Sequence, residues 1–234
     1  MIRNKGAFIK GLLLSVTFFI VLIGMFLPLF DGENALSAAD RLFNSISKGS
    51  TDYVPDLEKK NQAFVGTKFE IAGKLKSPEM AQQASKILTS AGAQATADGA
   101  QIKASGDLGK VIAATLKDSA ALFHNRDQEL QSKYGLPGKD VLYVWWNVCK
   151  EMDKDLKRQS KFKEAAFVGD VIKKGVEVAY NFFQIAPQTA SSRMGILTFS
   201  LVFYVIYTLW WGIAVLFLFE GIGLEMKAGA KKEM

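Results

Sequence analysis

Two long apolar runs stand out from an otherwise mixed pattern of hydrophobic and polar positions. Residues 11–30 (GLLLSVTFFIVLIGMFLPLF) carry no charge, and residues 194–219 form a second uncharged run of 26 residues. At about 1.5 Å per helical residue the first just crosses a hydrocarbon layer of about 30 Å, and the second crosses it with room for tilt. Both are read as transmembrane helices. The first exceeds the usual core of a signal peptide, and Pro28-Leu29-Phe30 makes a poor cleavage site, so it is expected to remain as an anchor.

Between the runs the periodicity is that of a folded domain. Leu36, Ala39, Leu42, Phe43 and Ile46 predict a short amphipathic helix over 36–46, broken by Lys48-Gly49-Ser50 and Tyr53-Val54-Pro55. Phe69, Ile71 and Leu75 alternate with Glu70, Ala72 and Lys74, a strand signal. Ser77-Pro78-Glu79 then supplies a helix start, Met80, Ala84, Ile87, Leu88 and Ala91 one apolar face, and Gly92 a stop. Asp98-Gly99 signals a two-residue type I′ hairpin, which pairs Ala95 with Ile102 and Ala93 with Ala104. Ser105-Gly106-Asp107 caps a second helix with Leu108, Val111, Ile112, Thr115, Ser119, Leu122 and Phe123 inward.

The order over 69–123 is β-α-β-β-α, which predicts a small sheet with one face covered by two helices. After Gly135-Leu136-Pro137-Gly138, a stripe of Val141, Trp145, Val148, Cys149, Met152 and Leu156 predicts one helix. Ala165, Val168, Ile172, Ala179 and Phe183 predict another, so the two form a helical hairpin. The fold class is therefore membrane α+β, with two transmembrane helices flanking an extracytoplasmic domain. Its expected divisions are an N-terminus (1–10), helix (11–30), lead-in segment (31–66), α+β module (67–125), helical region (126–193), helix (194–219) and tail (220–234).

Charge sets the expected orientation. Arg3, Lys5 and Lys10 precede the first run and Asp31 and Glu33 follow it, while Lys227, Lys231 and Lys232 follow the second. The positive-inside rule then puts both termini in the cytoplasm and residues 31–193 outside. That outer stretch has no Asn-x-Ser/Thr site, which fits a prokaryotic plasma (inner) membrane. Of the 234 residues 49% are hydrophobic and 22% charged, and the mean hydropathy is +0.11. That average suits a mixed chain better than a wholly soluble or a many-pass one.

The chemistry on offer is narrow. One histidine, His124, and one cysteine, Cys149, cannot build a zinc, haem or iron–sulfur site or an internal disulfide. His124 falls at a helix end, where a cation opposes the dipole, and Cys149 falls on an apolar stripe. No phosphate-loop spacing is present, so the chain is read as non-enzymatic and without a cofactor.

The β-α-β-β-α unit resembles the ring-building motif of type III secretion inner-membrane rings, the flagellar MS-ring and sporulation channels. The matching features are the helix over 81–88, Ala91-Gly92-Ala93 leading into the hairpin, the strand over 101–104, and Asp107 opening a helix whose 108–116 face would pack on the sheet. The resemblance implies ring-like self-assembly. Heavy-metal-binding ferredoxin-like domains and lipid-associated BON-type domains give similar strings, and the former would need a cysteine pair that is missing here.

Seven residues are the candidates for contact with other molecules. Tyr207, Trp210 and Trp211 fit an aromatic girdle that anchors the second run at a membrane face. Trp146, pointing about 100° away from Trp145 on a helix, is free to meet a partner. Lys154, Lys157 and Arg158 belong to a stretch, 150–163, with six basic residues against three acids, net +3. Such a strip is a solvated face or a contact for anionic headgroups or an acidic subunit, and its mixed charge argues against nucleic acid. The expected partners are the lipid bilayer and either further copies or subunits of a membrane complex. The expected function is a membrane scaffold, the alternative an accessory subunit of a respiratory or transport complex whose cofactors lie in other chains.

Overall fold

A computed structural model describes residues 2–224, so Lys227, Lys231 and Lys232 lie outside the described residues. Among the described residues the protein is mostly helical, with one three-stranded sheet and two helices long and apolar enough to cross a membrane. It divides into two compact units, one made by the chain up to Ile46 and from Gln188 onward, the other by Ser47–Pro187.

In the first unit α1 (Lys5–Phe26) pairs with α10 (Met194–Ile222). The helix α1 begins six residues earlier than the uncharged run, because the Asn4 side chain caps the Ala7 N–H and lysines are tolerated in the first turns. It ends earlier too: Pro28 disfavours the helical region for Leu27, which is extended at φ −79°, ψ 153°. The second helix starts at Met194 as expected and runs through Glu220 to a stop at Gly223, φ +84°.

The pair is antiparallel, since Asn4 N donates to Gly221 O and the Trp210 indole donates to Leu14 O. Contact is close because the facing residues are small. Ala7, Gly11 and Ser15 recur every fourth position on α1, and a Cβ at Gly11 would lie 2.7 Å from Leu218 N.

The second unit builds its sheet as the sequence order predicts. β1 (Lys68–Lys74), β2 (Gln94–Asp98) and β3 (Gln101–Asp107) lie in the order β1-β3-β2, all antiparallel. Phe69, Ile71, Ile102 and Ala104 turn inward, and α4 (Pro78–Ser90) covers that face, capped by the Ser77 side chain on Met80 N. The hairpin register differs by two from the expectation. Ala95 faces Ala104 and Ala97 faces Ile102, because the turn is Gly99-Ala100, with glycine supplying the positive φ at its first position. A shift of two keeps every side chain on its expected face.

α5 (Leu108–Phe123) also differs from the expectation. It touches the sheet only near β3 and otherwise forms the centre of a helical core, against α3 (Val54–Asn61), α6 (Asp127–Tyr134), α7 (Gly138–Arg158) and α9 (Glu177–Asn181). Pro55 does not break the chain there but sits in the first turn of α3, a position proline favours. α8 (Phe162–Asp170) runs into α9 through a π-helical turn, Val171–Val176. The amphipathic helix expected over 36–46 is α2 (Ala35–Lys48).

Two buried polar groups tie this core. Asp118 on α5, 2% exposed, accepts from Tyr134 Oη at 2.7 Å and Trp145 Nε1 at 2.8 Å, and pairs with Lys133 at 3.0 Å. Burial and this carboxylate hold the Tyr134 hydroxyl far above its ordinary pKa. Lys48, 3% exposed, donates to the carbonyls of Phe182 and Ile185 and to Asn125 Oδ1, and its burial lowers the ammonium pKa.

Replacing Asp118 by Ala orphans two buried donors at about 1–3 kcal/mol each, so the folded unit is expected to lose about 2–6 kcal/mol. Asp118→Asn, which keeps an acceptor, should lose less. Thermal unfolding of the full chain in nanodiscs, followed by tryptophan fluorescence, checks the order.

Candidate functional site

The helix α7 has two working faces. Val141, Trp145, Val148, Cys149, Met152 and Leu156 are all buried, as their spacing predicts. Trp146, one position on, is half-buried at the edge of that core and donates its indole N–H to Glu177 Oε1 at 2.8 Å. Glu177 is the first residue of α9, directly after the π turn. That wider turn buries Val171, Ile172 and Val176 and still leaves the first residue of α9 facing α7.

Around this bond lies a cleft of about 290 Å³ walled by Tyr143, Trp146 and Tyr180, with Leu142, Val176 and Asn181 completing it. Each ring carries a lysine over its face: Lys76 at 4.8 Å from Tyr143, Lys150 at 3.9 Å from Trp146, and Lys139 at 4.9 Å from Tyr180. Lys76 also donates to the Tyr143 hydroxyl, which lowers that phenol's pKa. The result is an aromatic cleft with a cationic rim.

A second groove, of about 640 Å³, shares Glu177 with the cleft and continues between α7 and α8. Its lining combines Lys150, Lys154, Lys157 and Lys173 with Asp153 and Asp170, small residues at Ala165, Ala166 and Gly169, and the exposed ring of Phe162. Of the sequence candidates, Trp146 thus lines the cleft and Lys154 and Lys157 the groove, with Glu177 bordering both.

Arg158 does not join them. It pairs with Asp155 at 3.0 Å and lines a different cavity, over the outer face of the sheet beside Glu70 and Lys103. Lys154 pairs with Glu151 at 2.6 Å and Lys157 with Asp153 at 2.7 Å. Exposed pairs of this kind contribute at most about 1 kcal/mol, so both lysines can be recruited by an acidic partner at little cost.

The spacing of apolar residues missed Asp155. It lies on the buried stripe, 5% exposed, and its Oδ2 accepts the Ala72 N–H at 2.7 Å. Gln159 and Lys161 donate to the carbonyls of Glu70 and Lys68. The end of α7 and the turn after it thereby satisfy the outer edge of β1. An acid on an otherwise apolar stripe is the one sequence signal that marks Asp155, and Asp118 on α5 shows the same signal.

Tyr207, Trp210 and Trp211 lie in the other unit, packed against the middle of α1. Tyr207 stacks on Phe18 at 4.2 Å between ring centroids, and Trp211 meets Phe18 and Phe19 at 4.7 and 5.6 Å. Here they join helix to helix. His124 is the C-cap of α5 and lies 3.3 Å from Asp52. Cys149 is fully buried, and its thiol is pushed up to about 12 by that burial, against a smaller opposing effect of Thr115. Among the described residues no group of three or more His, Cys, Asp or Glu could hold a metal ion.

No family model, no curated protein and no solved structure matches this chain.

Cys149 should resist maleimide labelling from pH 7 to 9 in the folded protein and react fully once it is denatured. Mass spectrometry of the labelled chain reads this directly. Rapid labelling of the native protein would contradict the described packing.

Proposed function

We propose that this protein is a non-enzymatic membrane scaffold: α1 and α10 cross the bilayer, and the unit between them docks partners or further copies through the α7 groove. The observation that carries the reading is the exposure of the helix pair. Twenty-two large apolar side chains on α1 and α10 are exposed, and only 17% and 6% of their most apolar stretches are buried within the protein. At about 1.5–3 kcal/mol each, such side chains in water would outweigh a domain's net stability of about 5–15 kcal/mol. Lipid removes that cost.

The charges around the first helix support an orientation with both termini in the cytoplasm and the folded unit outside a prokaryotic plasma membrane. Arg3, Lys5 and Lys10 lie at the start of α1, and Asp31 and Glu33 lie beyond its end. The docking half of the proposal rests on the aromatic cleft and its cationic rim, which suit an acidic, apolar-anchored segment. Self-association would follow if that segment belongs to a second copy, as the ring-building resemblance implies.

The test is the mass of the particle extracted in mild detergent, by light scattering corrected for detergent. A discrete assembly is expected. Trp146→Ala combined with Lys154→Glu and Lys157→Glu should weaken it by about tenfold or more. A lone monomer would sink the docking reading. A particle containing cofactor-bearing polypeptides would favour an accessory subunit instead.

A further inference from the structure

The helix α2 wears its sides the wrong way round for a soluble helix. At about 100° per residue, Leu36 and Phe43 lie about 20° apart, and Ala35, Ala39, Leu42 and Ile46 complete an apolar stripe about 120° wide. Leu36 is 72% exposed and Phe43 51%. Ser45 and Lys48, about 180° and 120° from Leu36, are the buried residues, and the Ser45 carbonyl accepts the Gln188 N–H at 2.9 Å. A polar edge is buried while Leu36 and Phe43 face out and the other four residues of the stripe are half-buried.

Both ends of α2 are linked to the long helices through short chain segments. Residues 27–34 lead from α1 into it through one tight reversal. Phe30 and Glu33 exchange backbone hydrogen bonds of 2.9 and 3.0 Å across Asp31 (φ 53°) and Gly32 (φ 82°), the two positive-φ positions of a type I′ turn. The Asn34 side chain caps the Ser37 N–H, and Glu33 pairs with Arg41 at 3.1 Å. At the other end, the Ser45–Gln188 bond sits six residues before Met194, where α10 begins. Leu27, Leu29 and Phe30 are exposed as well, so the apolar surface of α1 continues through the turn into the stripe.

We propose that α2 is an interfacial helix lying in the plane of the bilayer surface, with Leu36 and Phe43 inserted at the boundary between headgroups and acyl chains. The inference rests on α1 and α10 crossing the membrane. Its occupant is lipid, because the stripe is continuous with a surface that only lipid covers and its neighbours are tied to the helices that cross. The attraction is apolar: Asp31, Glu33 and Asp40 outnumber Arg41, so anionic headgroups are not required.

The test uses the full chain in phosphatidylcholine nanodiscs, with an environment-sensitive fluorophore on single cysteines at Leu36→Cys, Phe43→Cys and, on the polar side, Ser37→Cys. The native Cys149 is buried and stays unlabelled. Ile20→Cys and Ile206→Cys report the long helices. Nitroxide lipids carrying the spin near the headgroup should quench positions 36 and 43 about twofold or more beyond position 37, and deep nitroxides should quench positions 20 and 206. If positions 20 and 206 are quenched while 36 and 43 match 37, the inference is overturned and the membrane crossing stands. A blue shift at 36 and 43 without lipid quenching would mean that protein covers the stripe, and also overturns it. No quenching at positions 20 and 206 would remove the crossing itself and the inference with it.

Discussion

The bond from the Trp145 indole to the buried Asp118 carboxylate fixes the rotation of α7, and the rest of the folded unit takes its bearings from that angle. A carboxylate buried this deeply is tolerated only because Tyr134, Trp145 and Lys133 all donate to it, which locks α5, α6 and α7 together. With Trp145 held inward, Trp146 must face α9, and Asp155, ten residues beyond Trp145, must face the edge of β1. One contact thus places the aromatic cleft on one side and seals the sheet on the other.

The two units solve opposite burial problems. Ser47–Pro187 hides its apolar side chains in a single core and spends its polar groups on joints between elements. The α1–α10 pair hides almost none. Its helices meet through small residues and stacked rings, the packing that works where water is absent and apolar surface alone gives no reason to associate. The closeness of approach at Gly11 and Gly221 leaves no room for a side chain on either.

Much of this was legible in the sequence, and the misses have physical causes. Period-2 and period-3.6 patterns located β1, α4, α5 and α7 because each buries one face. The small helix α6, DQELQSKY, buries only Leu130 and Tyr134, so it leaves almost no periodic trace. The turn Gly99-Ala100 was read one position early because Asp-Gly is the stronger local signal. That same dipeptide does make a type I′ turn at Asp31-Gly32, where it lay inside an apolar context. Trp146, Lys154 and Lys157 were recognisable as outward residues, but their partner Glu177 was not. The stripe of Ala165, Val168, Ile172 and Ala179 is buried on both sides of the π turn as its spacing predicts, but an apolar stripe says nothing of which polar residue beside it meets Trp146.

The sealing of β1 also sets an order of events during synthesis. The Ala72 N–H meets its carboxylate 83 residues further along the chain. At about 5–20 residues per second, a ribosome takes about 4–17 s to deliver Asp155 after Ala72. For that interval the hairpin of β2 and β3 can form while one strand edge stays open to any extended chain nearby. The β1 edge can thus mispair with a neighbouring chain from the time Ala72 is made until α7 has followed it.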